Sequence, residues 1–244
     1  MGQPLRLHHW QRNFSRDAFD YGNPVLHLDA STITASDGDR IETWENLADN
    51  DIIVSQSELL DRPIYRPTAM GGDPALEFNI KEFFNVTNDP DALLAQSANF
   101  HIMAVVRLRA LSSGAGDIRV ILNRQSGTSG QSRTFWVVHW DSKWVYRNSA
   151  TSLPSDDNSI LDPELVGIRA DSDEVRMRLQ GVQQTSSLSL NSGIGEQPMT
   201  IGREADNSRR WWDGWMSEIL LYPALLSNEK LEEVETHLIN KWGI

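Results

Sequence analysis

Apolar residues recur along this chain in short runs, at a spacing of roughly 8–12 residues, with turn residues between them. The first run is "NPVLHLDAS", which starts after Pro24. "SDGDR", Ser36–Arg40, is a turn, and "IETWENL" and "DIIVSQ" follow it. Prolines and the pair Gly71–Gly72 punctuate the extended stretch "RPIYRPTAMGGDPALEFN". "FHIMAVVRLRAL", Phe100–Leu111, is strongly apolar, and "IRVILNRQ" is another strand signal. "RTFWVVHWDSKWVYRN" reads as two strands around Asp141–Ser142–Lys143, and "ELVGIRADSDEVRMRLQG" repeats the design around a polar turn at Ala170–Asp173. "MTIGRE" and "GWMSEILLYP" are the final strands. Many short strands with turn chemistry between them predict an all-β sandwich or barrel. One helix is predicted, capped by Ser227 or Asn228, with Leu231, Val234, Leu238 and Trp242 at helical spacing.

Period-two alternation assigns faces. In "DGWMSEILLY" it sends Trp215, Ser217, Ile219 and Leu221 one way and Met216, Glu218, Leu220 and Tyr222 the other, so Trp215 reads as core. Gly214 allows a tight approach into that strand. Trp136, Val138 and Trp140 share a face and also read as core.

The order of these elements adds a second line. "VLHLDAS", a Trp44 strand, the proline-containing lead into "PALEF", the long strand "FHIMAVVRLRAL", the hairpin "LVGIRADSDEVRMRLQG", "IGR", and "DGWMSEILLYPALLSNEKLEE" follow one another. In this order they resemble the concanavalin A-like lectin/glucanase superfamily, in its laminin-G-like, pentraxin-like branch. The resemblance covers about residues 24–244. It implies a jelly-roll β-sandwich of two antiparallel sheets with one C-terminal α-helix, residues 25–244, behind an extended N-terminal arm, residues 1–24. It also implies a structural role for Glu218 and the option of calcium at a rim.

Composition narrows the chemistry. There is no cysteine among the 244 residues, so disulfides, thiolate metal sites and cysteine nucleophiles are excluded. No apolar run is long enough to span a bilayer, and the first residues lack the apolar core of a signal peptide. The net charge of −12 disfavours nucleic acid as a partner. Arg6, Arg12 and Arg16 give residues 1–16 a charge of +3, which leaves −15 on the remainder. Leu5, Leu7, Trp10 and Phe14 interleave with these bases. The segment reads either as a solvated tail or as a docking arm with Trp10 and Phe14 as anchors.

No catalytic signature is present. A retaining glucanase of the superfamily would carry E-x-D-x-x-E, two carboxylates on one strand face, and that spacing does not occur. HExxH and GxSxG are absent too. Asp37, Asp39, Asp171 and Asp173 sit in loops and suit calcium, but "DGDR" and "DSDE" serve equally as plain turns. Sugar binding needs ring faces beside polar groups. Trp144, Trp211 and Trp212, with Arg209 and Arg210, are the candidates; Arg209–Trp212 is either a loop packed on its own body or a contact surface.

The chain is therefore expected to be non-enzymatic. One reading is a component of a large assembly, a phage or phage-like particle, as a capsid decoration or tail-associated protein located in the virion. There it would contact other structural proteins or further copies of itself, and bind host glycans. The other is a stand-alone carbohydrate-binding module or lectin at a cell surface or outside the cell. A divergent glycan hydrolase or lyase is the third. No cofactor is expected beyond possible calcium, and no insertion into a membrane.

Overall fold

The computed structural model describes residues 19–88, 99–111, 118–125, 133–148, 151–172, 174–189, 199–204 and 210–244. Two antiparallel sheets face each other. The first holds β1 (Leu26–Asp29), β3 (Ile64–Met70), β4 (Asp73–Asn79), β6 (Phe100–Leu108), β11 (Glu164–Asp171), β12 (Glu174–Leu179), β13 (Val182–Ser189) and β15 (Asp213–Tyr222). Its order is β13-β12-β11-β6-β15-β4-β3, and β1 pairs with the second half of β15. The second sheet holds β2 (Ile53–Ser55), β5 (Phe84–Thr87), β7 (Arg119–Gln125), β8 (Arg133–Trp140), β9 (Lys143–Asn148), β10 (Thr151–Pro154) and β14 (Thr200–Ile201), in the order β10-β9-β8-β7-β14-β5-β2. The chain crosses repeatedly from one sheet to the other, which makes a β-sandwich.

Alternation explains the layers. In β6, Ile102, Ala104, Val106 and Leu108 point into the core between the sheets, while Met103 and Val105 point outward. The outward residues are not left in water. The helix α1 (Asn228–Trp242) lies over them and buries Leu231, Val234, Leu238 and Trp242 against that face. Its N-terminus is capped by the Ser227 side chain, which accepts from the Lys230 backbone N–H. β6 therefore reads as continuously apolar, because both of its faces are covered.

"IETWENL" departs from expectation. It makes isolated bridges, Leu28 with Asn46 and Thr43 with Ser55, and no full strand, although Trp44 is buried in the core. β15 departs more. Its register shifts between Met216 and Glu218, so Ser217 is an extra residue. Met216 then joins Ile219 and Leu221 inside, and Trp215 goes outward with Leu220 and Tyr222. Trp215 is thus not a residue of the inter-sheet core. A Cβ at Gly214 would overlap the Arg107 carbonyl oxygen, so the close approach of β15 to β6 needs glycine there. Trp140 is also outside the inter-sheet core: it packs half-buried with Val120, Val138 and Val145 on a separate cluster of the second sheet.

Candidate functional site

Trp144 and Trp212, two of the rings expected to meet a ligand, are core residues instead. They stack on each other inside the sandwich, centroids 6.0 Å apart at 21°, and both are fully buried. Trp144 Nε1 donates to Glu164 Oε2 at 3.0 Å, which satisfies its polar end. Trp144 lies opposite His139 in the β8–β9 pair, on the same inward face as Tyr146. Arg210 is bound to the buried carboxylate of Glu204 at 2.9 and 3.1 Å. Of the remaining ligand candidates, Trp211 reaches the surface half-buried, and Arg209 lies outside the described residues. Arg6, Trp10, Arg12, Phe14 and Arg16 of the arm and Asp173 lie outside them as well. Asp37 accepts from Arg66 at 3.0 Å and Asp39 from the Ser36 backbone N–H at 2.7 Å, within the turn that starts at Ser36. Asp171 sits at the other turn, beside Ser172.

The described groups that converge as metal ligands would are different ones: His27, Asp29 and Glu218, all buried. Their place is already taken by a cation of the protein. Lys241 Nζ lies 2.8 Å from Asp29 Oδ2 and 2.8 Å from Glu218 Oε2. Glu218 also contacts His27 Nε2 at 2.8 Å and accepts from Trp242 Nε1 at 2.6 Å. Burial pushes the Glu218 carboxyl up, but the His27 hydrogen bond and the Lys241 charge outweigh it and hold it below the usual range. Burial pushes Lys241 down, and its two carboxylates more than reverse that. This cluster fastens the last turn of α1 to β1 and β15.

Carboxylates elsewhere on the first sheet are held by arginines. Glu77 is bound by Arg66 at 2.6 Å and Arg109 at 2.5 Å; Asp213 is bound by Arg109 at 2.7 Å and Arg119 at 3.1 Å. Burial raises the Glu77 carboxyl, and the two guanidiniums bring it below its ordinary value. A carboxylate held ionised by two arginines is a poor proton donor. Trp215 lies in the same group, with the guanidinium carbons of Arg107 and Arg109 at 5.2 and 4.7 Å from its ring centroid.

One surface is built differently. Arg203 and Trp211 form a bridge across the hairpin that leads into β15. The hairpin is closed by Trp212 N–H to Gly202 O at 2.7 Å and Glu204 N–H to Arg210 O at 3.1 Å. Gly202 passes so close to Phe78 that a Cβ would come within 2.7 Å of the ring, at φ +89°, so glycine is required to deliver Arg203 to its place. The Arg203 guanidinium carbon then sits 3.4 Å from the Phe83 ring centroid and 5.7 Å from that of Trp211. The two rings are 5.9 Å apart at 58°. Phe83 is fixed by its N–H to Asp61 O at 3.0 Å. Ahead of Asp61, Leu59 and Leu60 are 58% and 75% exposed.

Arg203 is half-buried, and its Nε is shut off from solvent with no hydrogen-bond partner. Among the described residues no oxygen accepts from this guanidinium. Asp61 acts on its charge without bonding to it. Burial pushes the Arg203 pKa down and Asp61 opposes this, with a net lowering; an arginine this basic stays charged. The shelf therefore offers one half-buried ring, Trp211, beside a planar cation that lies on the buried Phe83. Sequence reasoning found Trp211 here but missed Phe83 and Arg203. Phe83 hides beside the equally apolar Phe84, and Arg203 hides in a strand signal eight residues before its partner ring.

No protein-family model matches the sequence, and no characterised protein matches it by sequence. Solved structures do resemble the fold. The binding domain of botulinum neurotoxin serotype D matches with a TM-score of 0.64 at 12% identity, over 90% of this chain and 52% of that one. The CBM40 of the Ruminococcus gnavus IT-sialidase, bound to α2,3-sialyllactose, matches with a TM-score of 0.53 at 14% identity, over 66% of this chain and 96% of that one. Trypanosoma rangeli sialidase in complex with the inhibitor DANA matches with a TM-score of 0.60 at 12% identity, over 87% of this chain but only 32% of the sialidase. At these identities the likeness is one of fold.

Proposed function

We propose that this chain is a non-catalytic carbohydrate-binding domain of the concanavalin A-like type, and that it holds a glycan on the shelf of Trp211 and Arg203, which the buried Phe83 supports from beneath. The observation that carries this is the shelf itself. A pyranose presents an apolar C–H face and a hydroxyl edge, and the shelf presents a half-buried tryptophan with hydrogen-bond donors beside it. Two fold neighbours support the reading, the CBM40 seen with α2,3-sialyllactose and the toxin binding domain. The sialidase likeness spans about a third of that enzyme, and Glu77 and Asp213 are each tied to two arginines. Both points favour binding over catalysis.

A glycan array probed with the wild-type chain and with Trp211→Ala tests this. Wild type should bind a defined set of glycans. The variant should lose at least about tenfold, the effect of losing ~1.4 kcal/mol of ring contact, while its thermal transition stays cooperative. An array on which wild type binds nothing would sink the proposal. Attachment to a larger particle through the arm is a separate proposal that rests on the sequence of residues 1–24. Deleting residues 1–20 should leave a cooperative thermal transition and weaken assembly, and an unchanged assembly would refute it.

A further inference from the structure

We infer that the shelf selects glycans that carry a carboxylate, and that Arg203 is the residue that receives it. The inference rests on the carbohydrate reading above and names its ligand class. It starts from hydrogen-bond accounting. Neighbouring arginines on this rim are matched within the protein: Arg62 to Glu42 at 2.8 Å, Arg40 to the carbonyls of Leu60 and Arg62 at 2.9 and 2.8 Å, and Arg210 to Glu204. Among the described residues, Arg203 has rings on which to lie and no oxygen to bind. A half-buried guanidinium without an acceptor is a costly arrangement unless a ligand completes it.

Geometry specifies the group that completes it. The guanidinium is a planar fork whose parallel N–H donors match the two oxygens of a carboxylate. The Phe83 ring at 3.4 Å fixes the plane of that fork, so little side-chain freedom is lost on binding. Trp211 stands beside it, its ring centroid 5.7 Å from the guanidinium carbon. The charge of the whole chain, −12, adds a limit. A polyanion would be repelled by the body of the protein, whereas a single carboxylate on an otherwise neutral oligosaccharide would not be excluded. The ligand class is thus a mono-acidic glycan, a sialic or uronic acid residue on a neutral chain.

The test uses the full chain against matched glycans: 3′-sialyllactose and its methyl ester, a glucuronic-acid disaccharide and its methyl ester, lactose, and a sulfated lactose. Titrations at physiological salt compare wild type, Arg203→Gln, Arg203→Lys and Trp211→Ala. Wild type should bind at least one acid tenfold or more tighter than its ester. Arg203→Gln should erase that difference, Arg203→Lys should restore part of it, and Trp211→Ala should weaken acid and ester alike. Esters or neutral glycans bound as tightly as acids, with no effect of Arg203→Gln, would overturn the carboxylate assignment and leave the carbohydrate reading standing. Selection of the sulfate over the carboxylates would overturn it too. Failure of wild type on this set and on the full glycan array would remove both. Should Arg203→Gln fail to fold, the acid–ester comparison on wild type decides alone.

Discussion

Two clusters of charge in this molecule are built in opposite ways. Beneath the end of α1, Lys241 meets Asp29 and Glu218, Glu218 meets His27 and Trp242, and Asp29 also accepts the Ser31 N–H at 2.7 Å. The charges are buried and internally matched, and no room is left for a ligand. At the Phe83–Trp211 shelf, Arg203 is positioned as firmly by its rings but has no acceptor among the described residues. A matched network closes a fold, whereas a fixed but unmatched cation is a place for something from outside. The proposed binding site is therefore the less complete of the two clusters.

Breaking the matched cluster should have the largest effect. Lys241→Met removes the cation and leaves two buried carboxylates facing each other. Removing one partner of a buried ion pair costs about 3–5 kcal/mol. Urea unfolding at pH 7 should show a loss of that order, with glycan binding kept in the folded fraction. A loss below ~1 kcal/mol would mean that water already screens the cluster. Its pH range follows from the shifts. Glu218 is depressed, so its contribution is present above the unfolded carboxylate value of about 4.3 and disappears as pH falls through the folded value. Lys241 is raised, so its contribution is full below about 10.4 and disappears as pH rises through the folded value. The cluster is thus intact across the neutral range.

His101 sharpens the comparison, since it is incomplete yet closed. It is fully buried on β6, and among the described residues neither ring nitrogen has a hydrogen-bond partner. An orphan with no opening can take up only a proton. Burial, helped by the charges of Arg169 and Arg178, pushes its pKa down to about 4. A base with a depressed folded pKa contributes stability above its unfolded value of about 6.5 and loses it as pH falls toward the folded value. That loss amounts to about 3 kcal/mol between neutral pH and pH 4. His101→Leu should flatten the fall in urea midpoint over this range. An unchanged slope would show that other groups carry it.

The architecture was legible in the sequence because two periodicities and their turn residues encode it. β6, the β8–β9 and β11–β12 hairpins and α1 lie where alternation and capping put them. The failures have physical causes. The bulge at Ser217 inverts the phase of half a strand, and no composition signals one extra residue, so Trp215 was placed in the core. Trp144 and Trp212 are as aromatic as Trp211, and only tertiary packing decides which rings stack on each other inside and which one reaches solvent. Arg203 was hidden for a deeper reason. Its proposed role rests on an acceptor that the described residues do not supply, and a sequence records the residues present without recording which of them meet.

The smallest expected effect is the most diagnostic. Arg203→Met keeps a long side chain to lie on Phe83 and Trp211 but removes the charge and its five donors. If Arg203 were a structural residue, this change would cost what other arginine ties cost. If it is held ready for a ligand, the folded state loses no side-chain hydrogen bond to the described residues, because none is made there. Relief from burying an unmatched cation then offsets the lost cation–π contact, itself worth about 0.5–2 kcal/mol. The unfolding free energy should move by less than about 0.5 kcal/mol, in either direction, the range of a neutral surface change. Arg178→Met, which strips the buried Glu235 of its bidentate partner at 2.6 and 2.8 Å, should destabilise several-fold more in the same assay. Equal losses for the two variants would place Arg203 among the structural arginines and remove the distinction on which the shelf is read as a binding site.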